Sequence, residues 1–254
     1  MTDPRVARVK PALTATAGGF LRNPRLEGTC ARCFTPTLSR PVCGRCRTLM
    51  SYADGPDLLG VMAYASYLAP ITQSGHLMRG YKNPHIPSQV HRQTVALMSA
   101  LGLLGHVQCP GALTGTRVSA WATVPSLPPR PGEPTHPLND IVSKLARPEA
   151  IEVTLTAATA SSNPREVNPA HYTASASGVG RHVLVIDDTW TGGGHATSAA
   201  LALRAAGATQ VSLLVLARWL SEGWEQTTQQ WARRHLSTPD FDPEICPWTQ
   251  GPCP

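Results

Sequence analysis

No stretch of this chain approaches the roughly 18 consecutive apolar residues that a membrane-spanning helix needs, so no membrane partner is expected. Like charges never gather into a block either. The 22 Lys and Arg outnumber the 16 Asp and Glu, but the resulting formal charge of +6 is scattered. A positive balance suits phosphate, pyrophosphate or nucleic acid, and its dispersion does not choose among them. The basic start, Arg5, Arg8 and Lys10, runs into a segment interrupted by Thr and Gly, not into the apolar stretch of a signal peptide.

What is present divides the chain unequally. With 254 residues and 42% hydrophobic content, one substantial core and a small appendage are expected. The expected units are a flexible basic N-terminus over 1–25, a cysteine module over 26–57, an α/β domain over 58–220 and a C-terminal extension over 221–254.

Seven cysteines form a cluster of four, a lone Cys109 and a late pair, Cys246 and Cys253. An odd count with two CxxC pairs points to metal in a reducing compartment, so a cytoplasmic location is expected. Cys30 and Cys33, with Cys43 and Cys46, can aim four thiolates at one tetrahedral zinc, and Gly44 eases the second turn. A segment so short has almost no core, so zinc would supply most of its folding free energy. For Cys246 and Cys253, a second metal with an unidentified His, a disulfide and free thiols all stay open.

Strand and helix patterns alternate through the larger unit. Leu59–Leu68 reads as a strand, Ile71–Lys82 and Gln89–Leu104 as helices, Val118–Val124 as a buried strand, and Leu138–Leu145 as a helix. Such alternation implies a parallel, mostly doubly wound sheet flanked by helices. Residues 157–180, rich in small polar residues, read as a long mobile excursion. In the extension, Trp219, Trp224 and Trp231 are spaced for an amphipathic helix packed on the domain. Lys82 reads as a surface charge, and His136 and His171 have no partner visible in the sequence.

The informative stretch begins at Val183. Val183–Ile186 forms a buried strand that ends at the adjacent carboxylates Asp187 and Asp188. A loop over 189–195 follows with three consecutive glycines, then an Ala- and Leu-rich helix stopped by Gly207, and then a strand over Val211–Leu216. In open α/β sheets the ligand crevice lies at the carboxyl end of the strands, where backbone N–H groups at a helix start can hold a phosphate. No Lys-Ser/Thr pair follows the glycines, and two acids stand where a dinucleotide turn would begin, so neither a Walker A loop nor a GxGxxG motif is present. Two carboxylates beside a phosphate cradle suit vicinal hydroxyls next to a phosphate, as in ribose 5-phosphate. Trp190 would either cover that ligand or pack beneath it.

At these residues the chain resembles type I phosphoribosyltransferases, and with Cys30, Cys33, Cys43 and Cys46 ahead of the domain it is most similar to their ComF-like, competence-associated branch. Val124-Pro125, Arg165 and Asn168 add to a resemblance that runs loosely over 30–218. It implies a phosphoribosyltransferase-like fold and a ligand of phosphoribosyl pyrophosphate (PRPP) carried with Mg²⁺. Asp187 and Asp188 would hold the ribose hydroxyls. Thr189, Thr191, Gly192, Gly193, Gly194 and His195 would surround the 5′-phosphate, and the loop 126–130 with Arg130 would face pyrophosphate. Gly192 and His195 stand where the family offers hydroxyl side chains; His195, particularly if protonated, and Thr197 are candidate replacements. The implied activity is phosphoribosyl transfer to a nitrogen nucleophile; the alternative is a non-catalytic protein that senses PRPP or nucleotide, or binds nucleic acid.

Overall fold

The computed structural model describes residues 3–37, 40–83, 88–129, 136–158, 163, 165–221, 225–238 and 240–254. The chain opens with helix α1 (Val6–Ala17) and enters the cysteine segment, whose second pair starts helix α2 (Gly44–Met50). Strand β1 (Leu58–Ala65), helices α3 (Gln73–Gly80) and α4 (Gln89–Ala100), and a π-helical turn over Leu101–Gly105 follow. Then come α5 (Cys109–Thr114), β2 (Val118–Thr123), α6 (Pro137–Leu145), β3 (Ile151–Glu152), β4 (Leu155–Ala157) and β5 (Tyr172–Ala174). Strand β6 (His182–Trp190), α7 (Gly194–Ala205), β7 (Gln210–Trp219) and α8 (Glu225–His235) complete it. No helix among the described residues is long and apolar enough to cross a membrane.

The architecture is α/β. Five strands form one sheet in the order β1-β7-β6-β2-β3, and every pairing in it is parallel. Parallel strands covered on both faces are apolar throughout, and period-two alternation sorts β6 between two cores. Val183 and Val185 face a core shared with α7 and the cysteine segment, while Leu184 and Ile186 face one shared with α1, α3, α4 and α6.

Topology then places the crevice. From β2 the chain proceeds outward to β3, and from neighbouring β6 it proceeds the other way, through α7 to β7. Loops that leave adjacent strands in opposite directions open a gap at their carboxyl ends.

Several expectations change. The N-terminus expected to be flexible contains α1, and its Val6, Val9, Leu13 and Ala17 are buried against α4 and the π-helical turn. Residues 157–180 hold half of an antiparallel β4–β5 hairpin, a 3₁₀ turn over Pro169–His171 that packs with β5 on α7, and a second over Ala176–Gly178 that packs on β3; residues 159–162 and 164 lie outside the described set. Asp187 and Asp188 do not end β6, because the ladder to β7 runs on to Trp190↔Arg218 and keeps the backbone paired. Trp219 ends β7, so it shares no helix with Trp231, and Trp224 lies outside the described residues.

The cysteine segment is not a free-standing appendage. Cys30, Cys33, Phe34, Cys46 and Leu49 join the same core as the sheet. The Tyr64 hydroxyl of β1 donates to the Phe34 carbonyl at 2.8 Å, and Trp231 Nε1 donates to the Glu27 carbonyl at 3.3 Å. Trp231 also meets Tyr64 edge to face, with centroids 5.7 Å apart. Gly28, at φ +67°, passes directly beneath the indole. Truncating this buried ring removes packing on three sides, so Trp231→Ala is expected to cost about 3–5 kcal/mol. Urea denaturation would measure the loss, and a chelator should strip metal from the cysteine segment faster in this variant.

Candidate functional site

Strand β6 delivers its two acids into a cleft of about 1460 Å³. Thr189, Thr191, Gly192, Gly193, Gly194 and His195 line one wall, Val124–Pro128 after β2 lines another, and Lys82, His136 and Arg165 complete the rim. Arg130 lies outside the described residues, as does Thr135.

Alternation along the strand sends the two carboxylates to opposite faces. Asp188 turns toward α3 and α6 and is buried. Its Oδ2 accepts from the Tyr81 hydroxyl at 2.5 Å and from Lys82 Nζ at 2.6 Å. His136 Nε2 stands 3.8 Å from the same oxygen, and His136 Nδ1 accepts the Leu138 N–H, leaving Nε2 as the protonated nitrogen. Burial alone would raise the Asp188 pKa, but Lys82, His136 and Tyr81 outweigh it and hold the carboxyl down to about 2. Lys82 is therefore a site residue, not a surface charge, and His136 is a site residue too.

Asp187 behaves oppositely. Burial and the neighbouring Asp188 charge push it up to about 8, against Lys82 and the backbone N–H groups of Asp188 and Thr189. The two acids are thus driven apart, Asp188 toward its charged form and Asp187 toward its neutral form.

The glycine loop is fixed from below. Buried Arg218, at the end of β7, donates through Nη1 to the carbonyls of Trp190 and Thr191, both at 2.8 Å, and of Trp219 at 2.7 Å. Arg45, between the second pair of cysteines, donates through Nε to the Gly192 carbonyl at 2.8 Å and through Nη2 to the Arg165 carbonyl at 3.0 Å. In a planar trans peptide the next N–H points the other way. Drawing the carbonyls of Trp190, Thr191 and Gly192 toward the arginines therefore turns the following N–H groups away from them, on a loop that lines the cleft.

Two glycines are required for this. Gly193 sits at φ +76°, against the Trp190 ring and Leu49, and any Cβ on Gly194 would strike the Arg165 carbonyl. Trp190 is buried under the loop, so its main role is packing.

His195 Nδ1 is hydrogen-bonded to the Tyr172 hydroxyl at 3.0 Å. Burial, with His171, Arg165 and Lys82 nearby, pushes its pKa down despite Asp188, which disfavours a cationic imidazole. Thr197 is fully buried and absent from the cleft wall. Asn168 caps its own turn through Ala170 N–H and also stays off the wall, whereas Arg165 reaches it. His171 is buried, with Nδ1 3.4 Å from the Ser198 hydroxyl.

Below the loop, the sulfurs of Cys30, Cys33, Cys43 and Cys46 lie within 4.8 Å of one another, Cys33 and Cys43 at 3.8 Å. Backbone N–H groups support the sulfurs: Cys43 N–H points to Cys30 Sγ and Cys46 N–H to Cys43 Sγ, both at 3.3 Å. Four converging thiols with N–H support can hold one tetrahedral ion.

A pH test follows from Asp187. An acid whose pKa is raised by folding costs nothing below its unfolded value of 3.8, and its penalty grows as pH rises toward about 8. Asp187→Asn is expected to leave stability unchanged near pH 3.5 and to raise the melting midpoint at pH 8. The expected rise is at least roughly 2–4 °C, the shift that each kcal/mol gives in a chain of this size. Thermal melts at the two pH values would check it, and equal shifts at both would contradict the assignment.

No model of a known protein family matches the chain, and no curated protein matches it.

Proposed function

We propose that this chain binds PRPP on a phosphoribosyltransferase-like domain of the ComF-like kind and transfers the phosphoribosyl group to a nitrogen nucleophile, releasing pyrophosphate. The observation that supports this best is the placement of an acid pair and an amide-lined loop side by side at the end of β6, on one cleft. Carboxylates repel phosphate, so an ordinary phosphate site would not carry two of them here. A ribose 5-phosphate resolves the conflict, because its hydroxyls need acceptors while its phosphate needs donors.

In this reading Asp187 and Asp188 accept the ribose hydroxyls, and the N–H groups over 191–195 hold the 5′-phosphate at the start of α7. Lys82 and Arg165, with the loop Val124–Pro128, face the pyrophosphate. Mg²⁺ would arrive on the pyrophosphate. During transfer the C1′–O bond breaks with its electron pair leaving on pyrophosphate. The C1′–N bond forms and the nucleophile gives up its proton. The fixed Asp188 anion favours the positive charge that develops on the ribose ring.

Calorimetric titration of PRPP with Mg²⁺ tests the proposal, with ribose 5-phosphate and pyrophosphate as controls. Micromolar binding is expected, lost in the Asp187→Asn/Asp188→Asn double variant while its circular dichroism stays native. Unchanged affinity in that variant overturns the ribose site. No heat with PRPP, together with oligonucleotide binding that weakens steeply with salt, would mark a nucleic-acid binder instead.

A further inference from the structure

The cysteines outside the first cluster do not lie apart. Cys109 begins α5, and Cys246 and Cys253 come from the tail after α8, yet all three meet at His106. The four ligand atoms lie within 4.8 Å of one another. Cys253 Sγ is 3.3 Å from His106 Nδ1, and Cys109 Sγ is 3.9 Å from the same nitrogen. With Zn–S near 2.3 Å and Zn–N near 2.0 Å, a tetrahedral ion sets S···N edges of about 3.5 Å and S···S edges of about 3.8 Å. The observed spacings bracket the first of these. All three cysteines are free thiols, and a disulfide would use two sulfurs and leave the third, with the imidazole, unexplained.

The surroundings are those of a built site. His106, Cys109 and Cys246 are buried, and only Cys253 is exposed. The Cys246 carbonyl accepts Gln250 N–H at 2.9 Å, and Cys246 N–H donates to the Gly251 carbonyl at 2.8 Å, which folds the intervening tail into a compact loop. That loop covers an open sheet edge. Strand β1 has a partner on one side alone, and the tail meets its other side. Val61 N–H donates to the Pro247 carbonyl at 2.9 Å, Gln250 Nε2 donates to the Val61 carbonyl at 3.1 Å, and Trp248 lies directly on Gly60. No helix or strand runs through residues 240–254, so regular structure does not hold this segment in place.

We propose that His106, Cys109, Cys246 and Cys253 form a second, structural zinc site that fastens the C-terminal tail across the exposed edge of β1. The imidazole binds through Nδ1, and the three thiols bind as thiolates, releasing their protons as the metal enters. The site is closed by four protein ligands, so its role is to hold the fold and not to activate water.

Metal analysis of the full chain, purified with zinc present, tests this. About two zinc ions per chain are expected. Cys43→Ser should remove one of them, and Cys109→Ser with Cys246→Ser should remove the other. Because either variant could misfold, two measurements use an intact fold. His106→Cys, which keeps four ligands, should retain both ions. In the wild-type chain, a chelator that removes one ion while the other stays bound should speed hydrogen exchange at the Val61 amide by at least about tenfold. One zinc per chain that Cys43→Ser abolishes, or a disulfide among Cys109, Cys246 and Cys253 under non-reducing mass spectrometry, overturns the proposal.

Discussion

Arg218 is the interaction on which the cleft depends. A guanidinium this buried has lost its hydration, and among the described residues no carboxylate pairs with it. Three carbonyls, those of Trp190 and Thr191 where β6 enters the glycine loop and of Trp219 at the end of β7, repay part of that cost. Its charge also acts on Cys33 of the thiol cluster. Four thiolates around one divalent zinc leave a net negative charge, a counterion that a carboxylate would otherwise supply. The thiol cluster, the arginine and the glycine loop thus form one stack, and Arg45, set between two of the cysteines, adds a second tie from the same base.

The same economy governs the sheet's edges. Strand β3 has two residues, too few to template another chain, while β1 is long and needs cover. The N-terminal segment covers one part, where Tyr64 N–H donates to the Arg22 carbonyl at 2.8 Å, and the tail covers another at Val61. Arg22 is itself buried and donates to the Leu236 carbonyl, so the segment before the cysteines is tied to the end of α8. The segments on both sides of the α/β unit thus pack onto it.

What was legible in the sequence follows from range. The β6–α7–β7 unit carries its signals within one continuous stretch: an apolar strand, acids, glycines, and Gly207 after the helix. The four cysteines are as local, and the parallel sheet follows from the alternation, except for the two-residue β3, too short to show a pattern. Helix α1 was hidden because its Thr- and Pro-interrupted sequence shows a periodicity only its partners make meaningful. Tyr81, Lys82 and His136 were missed as site residues because they reach Asp188 across more than a hundred positions in one case and about fifty in the other, and nothing local marks such a meeting. Arg45 and Arg218 bind carbonyls, which every residue carries, so no complementary side chain announces them. The tail cysteines could be paired with His106 and Cys109 only once the fold had brought the two ends of the domain together.

The inequivalence of Asp187 and Asp188 also follows from strand geometry. Adjacent residues on a strand must face opposite ways, so one acid meets the α3–α6 side, rich in donors, and the other does not. Identical side chains on adjacent residues are thus driven in opposite directions, one held toward its charged form and one pushed toward its neutral form. Two full charges at that separation would repel each other and any approaching phosphate, whereas a charged and a neutral carboxyl can share a pair of hydroxyls beside an anion loop. The alternation of a buried β-strand, with one lysine and one tyrosine placed on a single side, is sufficient to set the two acids apart.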